Sequence, residues 1–180
     1  AAGVRQFLEY DRQLTRVSQV LNTNRESLKG LDSTITSLST SLGVASSDLA
    51  TVTVTLSQAG IQAADTRKAL EALAKSALAP TFDSLTNTTE GAIAAMRQFS
   101  ITAGQLEGAL GSINAVAARF AVESSDIIAA IQRAGGVFAA ASRGVSEGTD
   151  ALNEFIAVFT AVRATTREGA ETIATGLRTI

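Results

Sequence analysis

Residues 7–42 read FLEYDRQLTRVSQVLNTNRESLKGLDSTITSLSTSL, and this stretch decides the fold class. Every seventh residue from Phe7 is apolar: Phe7, Leu14, Leu21, Leu28, Ile35 and Leu42. Three positions after the first five of these stand Tyr10, Val17, Asn24, Leu31 and Leu38, and only Asn24 is strongly polar. A 3-4 spacing of this kind lines one seam of an α-helix, the face through which helices pack against other helices. Phe7, Tyr10, Leu14, Val17, Leu21, Asn24, Leu28, Leu31, Ile35, Leu38 and Leu42 are therefore the candidate helix–helix interface.

The spacing predicts one long, coiled-coil-like helix over residues 1–42, because the register does not slip across Asn24. A continuous helix over residues 4–42 would reach on the order of 60 Å at about 1.5 Å per residue. Asn24 also supports a second reading, in which it caps a new helix at Arg25-Glu26 and two antiparallel helices join near residues 22–25. Gly30 weakens either helix. The positions beside the seam, Gln6, Gln13, Val20, Ser27, Thr34 and Ser41, are uncharged. Salt bridges would not select the partner there, which suits a helix shielded by other protein or by copies of itself.

Beyond Gly43 the chain reads as a multi-helix bundle over residues 43–180, with no strand required. Helical spacing recurs in Leu70/Leu73, Leu106/Leu110/Ile113, Ile127/Ile131/Ala134, Leu152/Phe155/Phe159 and Ile173/Leu177/Ile180. Val52-Thr53-Val54-Thr55-Leu56 alternates like a strand but is assigned to helix, and Pro80 ends the helix before it. Val44-Ala45-Ser46-Ser47-Asp48-Leu49 is echoed by Val122-Glu123-Ser124-Ser125-Asp126-Ile127, and Glu90-Gly91-Ala92 by Glu168-Gly169-Ala170 at the same offset. These echoes suggest two weakly similar units, about 43–100 and 121–180. The serines followed by Asp read as N-caps, and Asn87/Glu90, Thr102/Gln105 and Thr165/Glu168 as capping boxes or relatives of them.

Composition removes whole classes of chemistry. The chain has no Cys, no His and no Trp. That excludes a Ser-His-Asp triad, a cysteine nucleophile, an ordinary zinc site and a disulfide framework. Aromatic residues make up 4% of the chain, too few for the stacking platforms of a sugar or nucleobase site. Fifteen basic against seventeen acidic residues give a net charge of −2, with no basic tract to hold a phosphate backbone. No sequence-specific nucleic-acid binding is expected. Gly135-Gly136 lacks the Gly-Lys-Ser/Thr of a phosphate loop. Glu168/Glu171 lie on one helix face, not across a cleft, and read as helix-end electrostatics. No catalytic, cofactor-binding or metal-binding residue is assigned, and no enzymatic activity is expected.

Two features admit a membrane reading. Between Asp32 and Asp65 the only charged residue is Asp48, but the run carries many Thr, Ser and Gln and falls short of the roughly 20 apolar residues of a spanning helix. It reads either as a helix buried against others or as a segment able to pass from a protein lumen to a membrane. Gly104, Gly108 and Gly111 have close-packing spacing, in a soluble bundle or in a small-xxx-small membrane interface. The opening Ala1-Ala2-Gly3-Val4-Arg5 does not read as a signal peptide. The start without Met and the helical pattern at Leu177-Arg178-Thr179-Ile180 read as part of a longer polypeptide.

Taken in order, these signatures resemble the core region of phage tail tape measure proteins. The likeness runs from Tyr10-Asp11 and Leu14 to Val20, through Leu42-Gly43-Val44, Leu56-Ser57-Gln58-Ala59-Gly60, Ala79-Pro80-Thr81-Phe82, Glu90-Gly91 and Met96. Its most specific part is Phe120-Ala121-Val122-Glu123-Ser124-Ser125-Asp126-Ile127 with Ala134-Gly135-Gly136-Val137-Phe138. It continues through Glu154 to Arg163 and Thr165 to Arg178. The resemblance implies a virion structural protein in the lumen of the tail tube or tail tip. It would set tail length, leave during genome ejection, and reach the host cell envelope. The implied partners are other copies of itself, a trimer among the expected forms, with tail tube and tail tip or baseplate proteins, tail assembly chaperones and the host membrane. The alternative function is a membrane-active or pore-forming helical module that helps DNA cross the host envelope. Members are usually much longer than this chain, and ruler action belongs to the whole polypeptide.

Overall fold

The computed structural model describes residues 2–24 and 26–179, with side chains described from residue 4 onward. The expectations at Arg25 and Ile180 lie outside the described residues. Among the described residues every regular element is helical, so the chain is all-α as expected. It divides into two compact units, Ala1–Leu78 and Ala79–Ile180. The end of the heptad stretch near residue 42 is thus a turn inside the first unit, and the unit boundary falls within the span 43–100.

The first unit holds α1 (Ala2–Val20), a 3-10 turn (Glu26–Leu28), α2 (Lys29–Leu42), α3 (Ser46–Gln58) and α4 (Ala63–Ser76). The single long helix expected over 1–42 is not what forms. α1 stops at Val20, Asn22 takes a left-handed φ of 48°, and the Asn24 side chain accepts from the Ser27 amide and hydroxyl, both at 2.9 Å. Asparagine tolerates that backbone better than most residues, and its carbonyl caps the turn that follows. The heptad survives because Val17, on α1, and Leu28 and Leu31, around the start of α2, face one core with Val54, and Leu21 packs against it. The seam marks which residues are buried together, not an unbroken axis.

α3 is the centre of this unit, packed by α1, α2 and α4. Leu49, Ala50, Val52, Thr53, Val54, Leu56 and Ser57 are all buried, which is most of the helix circumference. Its buried hydroxyls are satisfied within the helix: Thr53 donates to the Leu49 carbonyl and Ser57 to the Thr53 carbonyl, both at 2.8 Å. A helix buried nearly all round has no solvent face to carry charge, which accounts for the uncharged stretch of α3 after Asp48. Val52 to Leu56 is helical, as assigned. No described helix is long and apolar enough to cross a membrane.

The second unit holds α5 (Leu85–Gln98), α6 (Leu106–Phe120), α7 (Ser124–Ala141), α8 (Gly148–Thr166) and α9 (Ala170–Arg178). α7 packs against α5, α8 and α9, while α6 lies on α8. Its core carries Phe155 and Phe159, fully buried, with the Phe155 ring 6.0 Å from Phe99 and 5.4 Å from Phe138. The glycines that permit close packing are Gly91 and Gly135. A Cβ on Gly91 would stand 2.6 Å from Ile128, and one on Gly135 2.8 Å from the Phe99 ring. At Gly108 and Gly111 a Cβ would meet nothing within 4 Å, so the expected close packing there is absent.

Several caps also differ from expectation. The caps of α3 and α7 are Ala45 and Glu123, with no side-chain bond, and Ser46 and Ser124 are the first helical residues. Asp48 and Asp126 do sit in the first turns, where the helix dipole favours them. α5 is capped by Ser84, whose hydroxyl accepts from the Asn87 amide at 3.2 Å, one turn earlier than the Asn87/Glu90 pair. Thr165 belongs to α8, and Gly169 precedes α9. Thr102/Gln105 is as read: the Gln105 side chain accepts from the Thr102 amide at 3.0 Å. Of the two echoes, the Ser-Ser-Asp anchors each open the central helix of a unit. Glu90-Gly91-Ala92 lies within α5, whereas Glu168-Gly169-Ala170 joins α8 to α9.

Candidate interaction surfaces

The heptad residues come together chiefly inside the first unit. Leu14, Val17, Leu28, Leu31 and Ile35 are buried, while Leu21, Leu38 and Leu42 are half-buried. Tyr10 is half-buried and donates its hydroxyl to the Asp32 carboxylate. Asn24 is exposed in the turn. Apart from Asn24, the open part of the seam is its start: Phe7 is 66% exposed, and Val4 and Leu8 beside it are exposed as well. The chain's own helices therefore cover most of the seam, and its free end is the apolar face of the first turns of α1.

A second surface, which the sequence pattern did not disclose, lies between α6 and α8. A groove of about 460 Å³ runs between them, floored by small residues such as Ser112, Ala115, Ala157 and Ala161. The two helices run in the same direction: Ser112 and Asn153 line the groove, and Phe120 and Ala164 lie together at its far end. Phe120 ends α6 and is 50% exposed, with the Arg119 guanidinium 5.5 Å from its ring centre. Thr160 lines the groove and is 5% exposed, and its hydroxyl oxygen has no hydrogen-bond partner.

Charge along this groove is segregated. α6 carries Glu107 in its first turn and Arg119 in its last, with nothing charged between. α8 carries Asp150 and Glu154 early and Arg163 late, again with an uncharged middle, and Arg167 follows at its end. The groove is itself uncharged, with Asp150 and Glu154 flanking one end and Arg163 and Arg167 the other. Its hydrophobic spacing is readable in sequence as helix, but which stripe stays uncovered depends on the tertiary packing.

The basic end is also where the unit is fastened. Arg163 pairs with Asp126 of α7 at 3.2 Å and donates to the carbonyls of Arg167, at 3.0 Å, and Glu168. One guanidinium so caps the carbonyl end of α8 and meets the acidic first turn of α7. On the other side, Arg133 of α7 bonds Glu171 of α9. The hydrogen bond from Arg133, reinforced by its charge, holds the Glu171 carboxyl below its ordinary range and raises the Arg133 guanidinium in turn. Glu171 thus meets Arg133 in an exposed ion pair, and Glu168 contributes its backbone carbonyl to the cap.

A more polar cleft of about 430 Å³ lies where α5, α7 and α8 approach, lined by Gln98, Arg143, Ser146 and Glu147 among others. The Gln98 side-chain carbonyl and the Ser146 hydroxyl, both buried, have no partner there. Among the described residues no group of His, Cys, Asp or Glu is arranged to hold a metal ion.

No curated protein and no solved structure matches the chain. A family model does match, that of the phage-related minor tail proteins, over residues 32–180. That span takes in most of α2 and every helix from α3 to α9. A structural role in a phage tail, and with it a place in the virion, follows from that match over most of the chain. The chain belongs to the phage-related minor tail protein family.

Proposed function

We propose that this chain is the helical core region of a tape measure protein, a ruler held inside the tail tube that is released during genome ejection. The observation that carries this reading is the minor-tail family match over residues 32–180, joined to the order of tape-measure-like segments from Tyr10 to Arg178. The chain would assemble with other copies of itself and with tail tube and tail tip proteins, with tail assembly chaperones keeping it competent before the tube closes. It performs no reaction in this role; it supplies shape and contact.

The folded units refine how such a ruler would work. A continuous helix of this length would span roughly 270 Å at 1.5 Å per residue. Folded-back units span far less per residue, so this region adds little to the ruler while it stays folded and serves as an assembly or docking end. In-frame deletion of helical turns from the parent protein, with tail lengths read by electron microscopy, tests the role. Turns removed from extended parts of the parent should shorten tails by about 1.5 Å per residue. Tails of constant length would overturn the ruler reading.

A further inference from the structure

We propose that the groove between α6 and α8 is a self-complementary docking surface for a second copy of this chain, related by a two-fold axis across the groove. This goes beyond the ruler role and does not depend on it.

The charge pattern selects the partner and its direction. The lining itself is uncharged; Asp150 and Glu154 flank it beside Asn153 at one end, and Arg167, with the already paired Arg163, flanks it beside Phe120 and Ala164 at the other. A two-fold axis lying across the groove reverses its direction on the second copy. It sets α8 against α8 and the acidic end of each copy against the basic end of the other. Alignment in the same direction would oppose like charges, which disfavours it. A patch that is its own complement under reversal is what a closed, isologous pair requires.

The shape agrees with the charges. With the axis near the middle of the groove, Asp150 faces the second copy's Arg167. In the same register Phe120 faces the second copy's Ser112, and Ala157 faces the second copy's Thr160. Phe120, half exposed at one end, is the knob, and the small side chains of Ser112 and Ala115 form the hole. An aromatic anchor seated in a small-residue pocket is the usual centre of a protein interface.

Sedimentation equilibrium on the full chain, with charge variants mixed in pairs, tests this. The wild-type chain should form dimers. Phe120→Asp and Ala157→Arg, both at exposed positions, should keep their helical circular dichroism and weaken association by roughly tenfold or more. Asp150→Arg alone and Arg167→Asp alone should each associate poorly, because each opposes like charges twice in its own dimer. Mixed together they should recover a heterodimer, since both contacts then join opposite charges. A wild-type chain that stays monomeric at high micromolar concentration overturns the proposal, whatever else then fills the groove. So do folded variants that dimerise like wild type, or charge variants whose mixture associates no better than either alone. Tail length enters none of these outcomes, so they stand apart from the ruler test.

Discussion

The Tyr10 hydroxyl on α1 donates to the Asp32 carboxylate on α2, across 22 residues of sequence. In a continuous helix two residues so spaced would lie about 33 Å apart. The bond exists because the chain turns back at Leu21 to Asn24. Replacing Tyr10 with Phe removes the donor and keeps the ring. The expected cost is about 1 kcal/mol of unfolding free energy, read by urea denaturation. An Asp32→Asn variant should cost less, because its side-chain amide still offers a carbonyl to the phenol.

The glycines of the second unit divide into two kinds, and alanine separates them. Gly135→Ala would drive a Cβ to 2.8 Å from the Phe99 ring within the aromatic cluster. It should destabilise by about 1–3 kcal/mol, the usual cost of overpacking. Gly108→Ala meets open space inside a helix and should stabilise by up to ~1 kcal/mol. Thermal melts of the two variants should therefore move in opposite directions.

Arg163 joins two helix ends, so its loss should exceed the loss of its partner. Arg163→Met should cost about 1–2 kcal/mol by removing the α8 cap and leaving Asp126 unpaired. Asp126→Asn should cost less, because Arg163 still holds the Arg167 and Glu168 carbonyls. Denaturation of both single variants and the double variant should show coupling between the two positions.

The Glu171 carboxyl is held below its ordinary range by Arg133. A folded-state value below the unfolded one contributes stability above the unfolded value, near 4.5. That contribution is lost as pH falls through the lower, folded value. Nuclear magnetic resonance titration should find the Glu171 midpoint depressed in the wild type and returned toward the ordinary range in Arg133→Gln. Any stability difference between the two proteins should be present at neutral pH and fade under acid.

Much of this architecture was legible in sequence, for a plain reason. Helical class and the core positions Leu14, Val17, Leu28, Leu31 and Ile35 follow from the spacing of apolar residues, and spacing is set by helix geometry. What misled was continuity. A heptad records which residues share a core, and Asn22 and Asn24 allowed a turn to be inserted without disturbing that record. The cap residues were misplaced by one to several positions because Ser, Thr and Asn are abundant around most helix starts. The α6–α8 groove was not legible, since Ala115, Ala157 and Ala161 look like any helix-packing residues until the neighbouring helices leave them uncovered. The charge segregation along α6 and α8 is visible in the sequence, and becomes meaningful only once the two helices are known to run side by side in the same direction.

The turn between α1 and α2 separates a folded unit from a rod, and the reading of this region as an assembly end of a ruler rests on it. The chain contains no cysteine, so paired spin labels can be placed cleanly at Gln6 and Thr36, both exposed. Double electron–electron resonance on that pair is the most direct measurement. Folding back around the Tyr10–Asp32 contact predicts a distribution centred well below the helical spacing of about 45 Å for 30 residues. A distribution centred near that spacing would contradict the account.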